Sequence, residues 1–236
     1  MMSQSEEPIT PVSKDDPSVP WTVADTWLGV FLFIFLTAGI LIVVQVWQEK
    51  NFLQTIGLVV TELLYLVPAF YILAKRHIPL RALGFRSFNG TYLALGCGLL
   101  VMAYLLIMVH NLILAFLGIL TQGEMIYNLF GSLDDPVWLV FVGVFLAPFV
   151  EEMFFRGFLF AGFRQRFGWN RSALLSAALF SLAHLQPVAL IPTFILGYLL
   201  AYLFHKSNSL WPGIILHFLV NSMGFCLIFA MSQSHF

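Results

Sequence analysis

Charge is what this sequence has least of. Asp, Glu, Lys and Arg together make up 10% of its 236 residues, against about 25% in a typical soluble domain. With 60% hydrophobic residues and a mean hydropathy of +0.89, there is too much apolar surface for one water-soluble core, so the solvent is lipid. The net charge of −1 comes with no basic tract, which leaves no basis for a nucleic-acid partner. The two cysteines, Cys97 and Cys226, sit far apart in apolar runs, so there is neither a disulfide framework nor a CxxC motif. Ser181 and Ser222 lie in no GxSxG elbow, which argues against a serine hydrolase. Also missing are an HExxH zinc motif and the internal repeat that marks many transporters. Residues 1–26 hold Glu6, Glu7, Lys14, Asp15 and Asp16 with four prolines and no apolar signal core. They are expected to form a polar, disordered tail.

What is present is a series of apolar runs, each near the roughly 20 residues a transmembrane helix needs. They are Trp27–Trp47, Gln54–Ala74, Tyr92–Leu120, Val137–Phe163, a short Ser172–His184, Val188–Phe204 and Leu210–Met231. The expected fold is all-α, a polytopic bundle of about seven transmembrane helices with the functional site inside it. Tryptophans bracket the first run, as suits the membrane interface. Lys75, Arg76, Arg81 and Arg86 form one basic loop, and Arg164, Arg166 and Arg171 another, whereas the loop from Thr121 to Pro136 carries Glu124, Asp134 and Asp135 and no Lys or Arg. By the positive-inside rule the basic loops are cytoplasmic, and so is the N-terminus. The chain divides into the tail 1–26, N-terminal spans over 27–134 and a polar-bearing core over 135–231.

Ionisable groups at membrane depth are costly and mark functional sites. Three clusters stand out, all in the core region. In Glu151-Glu152-Met153-Phe154-Phe155-Arg156, Glu152 and Arg156 are four apart and share a helix face, so they can pair. At about 100° per residue Glu151 points elsewhere; a packing ion pair needs one glutamate, and here there are two. In Phe180-Ser181-Leu182-Ala183-His184 the ring and the imidazole share a face, and packing limits the histidine's rotamers. His217 and Asn221 in the last span also share a face and can donate toward one point, as oxyanion stabilisers must. Taken singly, each cluster has a plainer reading as a buried ion pair or an interhelical hydrogen bond. Glu62 is an unpaired acid in the second run with no spacing to support a role. His110 and Asn111 are expected to bond a neighbouring helix, and His205 and Lys206 to snorkel.

The order EExxxR, FxxxH, HxxxN, written here as Glu151-Glu152 with Arg156, Phe180 with His184 and His217 with Asn221, resembles the CPBP family of CAAX proteases and bacteriocin-processing enzymes (Abi). The likeness covers roughly Asp135 to Ser222, with a weaker echo in Leu83-Gly84-Phe85-Arg86. It implies an intramembrane endopeptidase. Glu151 would activate a water that His184 orients, His217 and Asn221 would stabilise the oxyanion, and Glu152, Arg156 and Phe180 would support the geometry. It also implies a competing version in which Glu151, His184 and His217 hold Zn²⁺ or another divalent metal. The reading without a cofactor is preferred, because His217–Asn221 is not a typical zinc pair. The implied partners are membrane lipid and a membrane-bound protein, a prenylated protein or a peptide. The implied location is a prokaryotic plasma membrane. Two other classes compete: a non-catalytic membrane scaffold or immunity protein built on the same fold, and a proton-coupled transporter using Glu62, Glu151 and Glu152.

Overall fold

A computed structural model describes residues 18–46, 52–132 and 136–233. Among them there is no strand, and the chain is an all-α polytopic membrane protein, as expected. The first helix, α1 (Val23–Val46), starts earlier than its apolar run does. Its start is a capping box: Thr22 N–H donates to the Asp25 carboxylate at 2.8 Å and Asp25 N–H returns to Thr22 Oγ1 at 3.2 Å. Residues 1–17 of the expected tail lie outside the described residues, as do Trp47, Asp134 and Asp135. The end of the tail is ordered, however, and the boundary at residue 26 moves toward the N-terminus. Trp21 is buried against Phe158, and Arg76 bonds Asp25 at 2.8 Å.

The second expected span is two helices, α2 (Phe52–Leu64) and α3 (Leu66–Lys75). Pro68 causes the break, because it has no N–H to offer the carbonyl of Leu64 four residues back. Then follow α4 (Thr91–Phe116) and α5 (Gln122–Ser132). The latter occupies the expected acidic loop, and a second capping box explains it. Thr121 N–H donates to Glu124 at 2.7 Å and Glu124 N–H to Thr121 Oγ1 at 3.3 Å. The first of these bonds, with one from the Thr121 hydroxyl at 2.8 Å, holds the Glu124 carboxyl below its ordinary pKa.

The expected fourth and fifth spans form one helical stretch, Val137–Ala183, of 47 residues. It runs through α6 (Val137–Phe141), a π-helical turn (Val142–Leu146), α7 (Ala147–Glu151), a π-helical stretch (Glu152–Phe160) and α8 (Ala161–Ala183). At Gly168 the backbone turns to φ 70° and ψ 171°, a conformation that glycine adopts readily. There the chain doubles back: Ser176 Oγ donates to the Phe155 carbonyl at 2.8 Å. The expected basic loop thus contracts to this kink. Arg164 is buried within the helix, its guanidinium 5.3 Å from the centre of the Phe160 ring. Finally come α9 (Leu190–Ser207) and α10 (Trp211–Gln233). Five stretches are long and apolar enough to cross a bilayer among the described residues. The expected bundle of about seven helices stands: α2 and α3 fall below that length singly, and the folded-back stretch carries two of the expected spans. His110 bonds the Val188 carbonyl at 3.1 Å, as expected of an interhelical polar group.

Candidate active site

The site is built on the middle of the Val137–Ala183 stretch, where regular α-helix gives way twice. π-helical segments leave the i−4 pattern and are frequent at functional sites. In the first, Ala147 N–H donates to the Val142 carbonyl, five residues back. The next such bond would run from residue 148 to Gly143, but residue 148 is proline and has no N–H. The orphaned Gly143 carbonyl accepts instead from Asn221 Nδ2 at 2.7 Å. This departs from the expectation that Asn221 and His217 donate toward one point. One amide hydrogen of Asn221 braces α10 against the proline break, which leaves one other for a further partner.

The two glutamates are buried at 6% and 1% exposure, and Arg156 at 0%, values that matter because unpaired charges at that depth would be prohibitive. Glu152 and Arg156 do pair, Nη1 to Oε1 at 2.8 Å. Arg156 also donates to the Gly197 carbonyl at 3.1 Å and lies over the Phe180 ring, 4.4 Å from its centre. Gly197 permits that approach: a Cβ there would sit 3.1 Å from the Ala177 backbone. Similarly, a Cβ on Gly213 would come within 2.9 Å of Glu152 Oε2, so α10 comes close to the glutamates only because residue 213 has no side chain.

His217 comes from α10 and stands between the two acids. Its Nδ1 is 3.2 Å from Glu152 Oε1 and its Nε2 is 3.6 Å from Glu151 Oε2. Glu152 is thereby fixed from two sides, while Glu151 has the looser contact and is the freer carboxylate. His184 caps the end of α8, and its Nδ1–H donates to the Phe180 carbonyl at 2.8 Å. That bond sets the tautomer and leaves Nε2 as an acceptor. The Phe180 ring is the hub: it meets His184 edge-on at 4.8 Å and His217 at 5.8 Å, with Phe155 at 5.1 Å behind. Residues from α7, the π-helical stretch, α8 and α10 thus converge on one buried centre. Ser181 and Ser222 are spent on carbonyls of Leu190 and Phe218.

For a metal, Glu151, His184 and His217 would have to group as ligands. Among the described residues no three His, Cys, Asp or Glu side chains do so, and both His217 nitrogens face carboxylates. In this arrangement Glu151, His184 and His217 are not drawn together as a ligand group.

Residues 133–223 match the family described as type II CAAX prenyl endopeptidase Rce1-like. This segment contains all three polar clusters, so the resemblance read from their motifs holds. Among curated proteins the chain is 23% identical over 84 residues to "Putative membrane peptidase YdiL" of Bacillus subtilis (strain 168), a stretch covering 36% of this chain and 34% of that protein. The chain therefore matches about a third of the length of that curated relative. No solved structure matches the chain. By its description, the family that this segment matches is one of endopeptidases.

An apolar cleft of about 210 Å³ adjoins this centre, between α1 and the back of Phe154 and Phe155, reaching Ala183 next to His184. One polar neighbour had no spacing in the sequence to assign it a role. Glu62 on α2 lies within Coulombic range of Glu151, and both act on the buried Tyr65. Its signal was an acid just ahead of a proline-induced break, in a run otherwise fit to span.

Proposed function

We propose that the protein is an intramembrane endopeptidase in which Glu151 activates the attacking water. The observation that supports this most directly is the asymmetry of the two glutamates. Glu152 is held by Arg156 and His217 at hydrogen-bonding range, whereas Glu151 has one contact, at 3.6 Å. A general base needs that freedom. Water held between Glu151 and the His184 Nε2 acceptor loses a proton to Glu151 as its oxygen attacks the peptide carbonyl. His217 and the second amide hydrogen of Asn221 then face the developing oxyanion. Glu151 returns the proton to the leaving amine as the C–N bond breaks, which balances the hydrolysis. Glu152 and Arg156 keep His217 and the helix in register, and Phe180 fixes both imidazoles.

The substrate is a membrane-bound protein, a prenylated protein or an apolar peptide, whose hydrocarbon part the cleft beside Phe155 would receive. Basic residues support the orientation. Arg76, Arg86 and Arg164 sit at the end of the bundle that also holds Asp25 and the start of α1, linked by Arg76–Asp25 and by Ser209 to the Arg86 carbonyl. The positive-inside rule puts that end, with the N-terminus, in the cytoplasm of a prokaryotic cell.

The test compares membrane-proteome termini in cells carrying wild type or Glu151→Gln at matched expression. New wild-type-only ends near predicted spans are expected, with a loss of about 10²–10⁴-fold in the variant. Equal ends, with both proteins folded, would overturn the enzyme in favour of a scaffold. Activity lost to a chelator and restored by zinc would replace the glutamate mechanism with a metal one.

A further inference from the structure

The scheme above leaves one acid unused. Glu62 Oε2 is buried and has no hydrogen-bond partner among the described residues. A buried acceptor without a partner is costly, and natural proteins seldom keep one without a use for it. The local structure delivers this one on purpose-built backbone. Tyr65 N–H donates to the Glu62 carbonyl at 3.1 Å, closing α2 in a tight turn before the proline break. The Tyr65 ring clamps that turn by stacking on Phe33 at 4.5 Å and leaning on Phe154 and Phe155.

Its direction is set by how the helices pack. Both α2 and α10 pack on α7, which carries Glu151, but they make no extensive contact with each other. They therefore reach Glu151 from different faces. From α10 come His217 and Asn221, the hydrogen-bond donors. From α2 comes Glu62, which when ionised is an acceptor only. A trans peptide unit has the matching polarity, its C=O and N–H pointing in opposite directions.

We infer that Glu62 is a substrate-contacting residue whose free carboxylate oxygen accepts the N–H of the scissile peptide, opposite the donors that receive its carbonyl. This rests on the endopeptidase reading and deepens it. The chemical class recognised is a secondary amide. An ester, or a bond before proline, has no N–H to offer and leaves Glu62 unpartnered.

The experiment uses the full-length protein in detergent with two probes. One is a fluorogenic peptide copied from a wild-type-only terminus, and the other is the same sequence with an ester in place of the scissile amide. In Glu62→Leu, peptide cleavage is expected to fall by about 10–100-fold, the size of a hydrogen bond to a charged group. Ester cleavage is expected to hold or rise. Glu62→Gln, which keeps an acceptor oxygen, is expected to recover part of the peptide rate. Thermal unfolding of Glu62→Leu is expected no lower than that of wild type, since an apolar side chain replaces an unpartnered buried carboxylate. A variant that unfolds, or that loses peptide and ester cleavage alike, would make Glu62 structural and overturn the inference. Glu151→Gln separates the two readings. If it is inactive while Glu62→Leu cuts the peptide at the wild-type rate, only the Glu62 assignment fails. If it is fully active, the endopeptidase reading falls and takes this inference with it.

Discussion

Two apolar stretches of this protein look alike in composition and differ in nearly everything else. Taken over 18 residues of each, α4 and the Val137–Ala183 stretch have mean hydropathies of 2.4 and 1.9, yet 6% of the first segment is buried inside the protein against 56% of the second. In α4 the helix is uninterrupted and turns half of its leucines toward lipid, with a polar bond from His110 to the turn before α9. The other stretch is broken by two π-helical segments, a proline and a reversal at Gly168, and from Glu152 to Phe160 every residue is buried. Regular helix satisfies its own backbone and can face lipid. Irregular helix and ionised side chains cannot, so they are found where neighbouring helices supply the missing partners.

The sharpest way to break that contrast is to remove a partner inside the buried stretch. Arg156→Met leaves Glu152 buried with His217 alone. It is expected to destabilise the protein by about 3–5 kcal/mol, the cost of stranding one half of a buried pair. Chemical unfolding in detergent measures it, and an unchanged midpoint would mean that the pair is dispensable. Next in size is a matched pair of truncations. Phe155→Ala, among the rings of Phe33, Tyr65, Phe154 and Phe180, is expected to cost about 3–5 kcal/mol. Leu106→Ala on the lipid face of α4 should stay within about 0.5 kcal/mol. Equal costs would erase the distinction between the two stretches.

The smallest effect lies outside both stretches, at the capping box of α5. Hydrogen bonds from Thr121 hold the Glu124 carboxyl below its ordinary pKa. Their contribution is therefore present above the unfolded pKa and is lost as pH falls through the folded one. Protection of the first amides of α5 against hydrogen exchange should weaken on acidification in the wild type and be insensitive to that change in Glu124→Gln. The reverse pattern would remove the capping account.

Much of the site was legible because its pairs are local. Glu152 with Arg156 and Phe180 with His184 are each separated by one helical turn, and any helix brings them together. The capping boxes were written as plainly, as Thr-x-x-Asp before α1 and Thr-x-x-Glu before α5, although apolar runs alone placed those helix starts wrongly. The second span was less legible, because an apolar count does not register a helix broken by Pro68, whereas the fold-back at Gly168 lies inside the basic segment expected as a loop. The Asn221 contact was missed because it depends on a proline more than seventy residues away in sequence, at position 148, that deprives Gly143 of its usual donor.

By itself, then, the sequence determined the solvent, the helical class and the three short motifs, because each follows from composition or from neighbours within a turn. Only the tertiary structure decided that His217 stands between the two glutamates, that Asn221 serves a backbone carbonyl and that Glu62 of α2 lies within electrostatic range of Glu151. Those are encounters between segments far apart in the chain, and nothing in local propensity or periodicity encodes them. They depend on which helices come close enough to touch, and the approach is tight at glycines 143, 197 and 213, where a Cβ would lie 2.8, 3.0 and 2.9 Å from Phe225, Phe180 and Glu152.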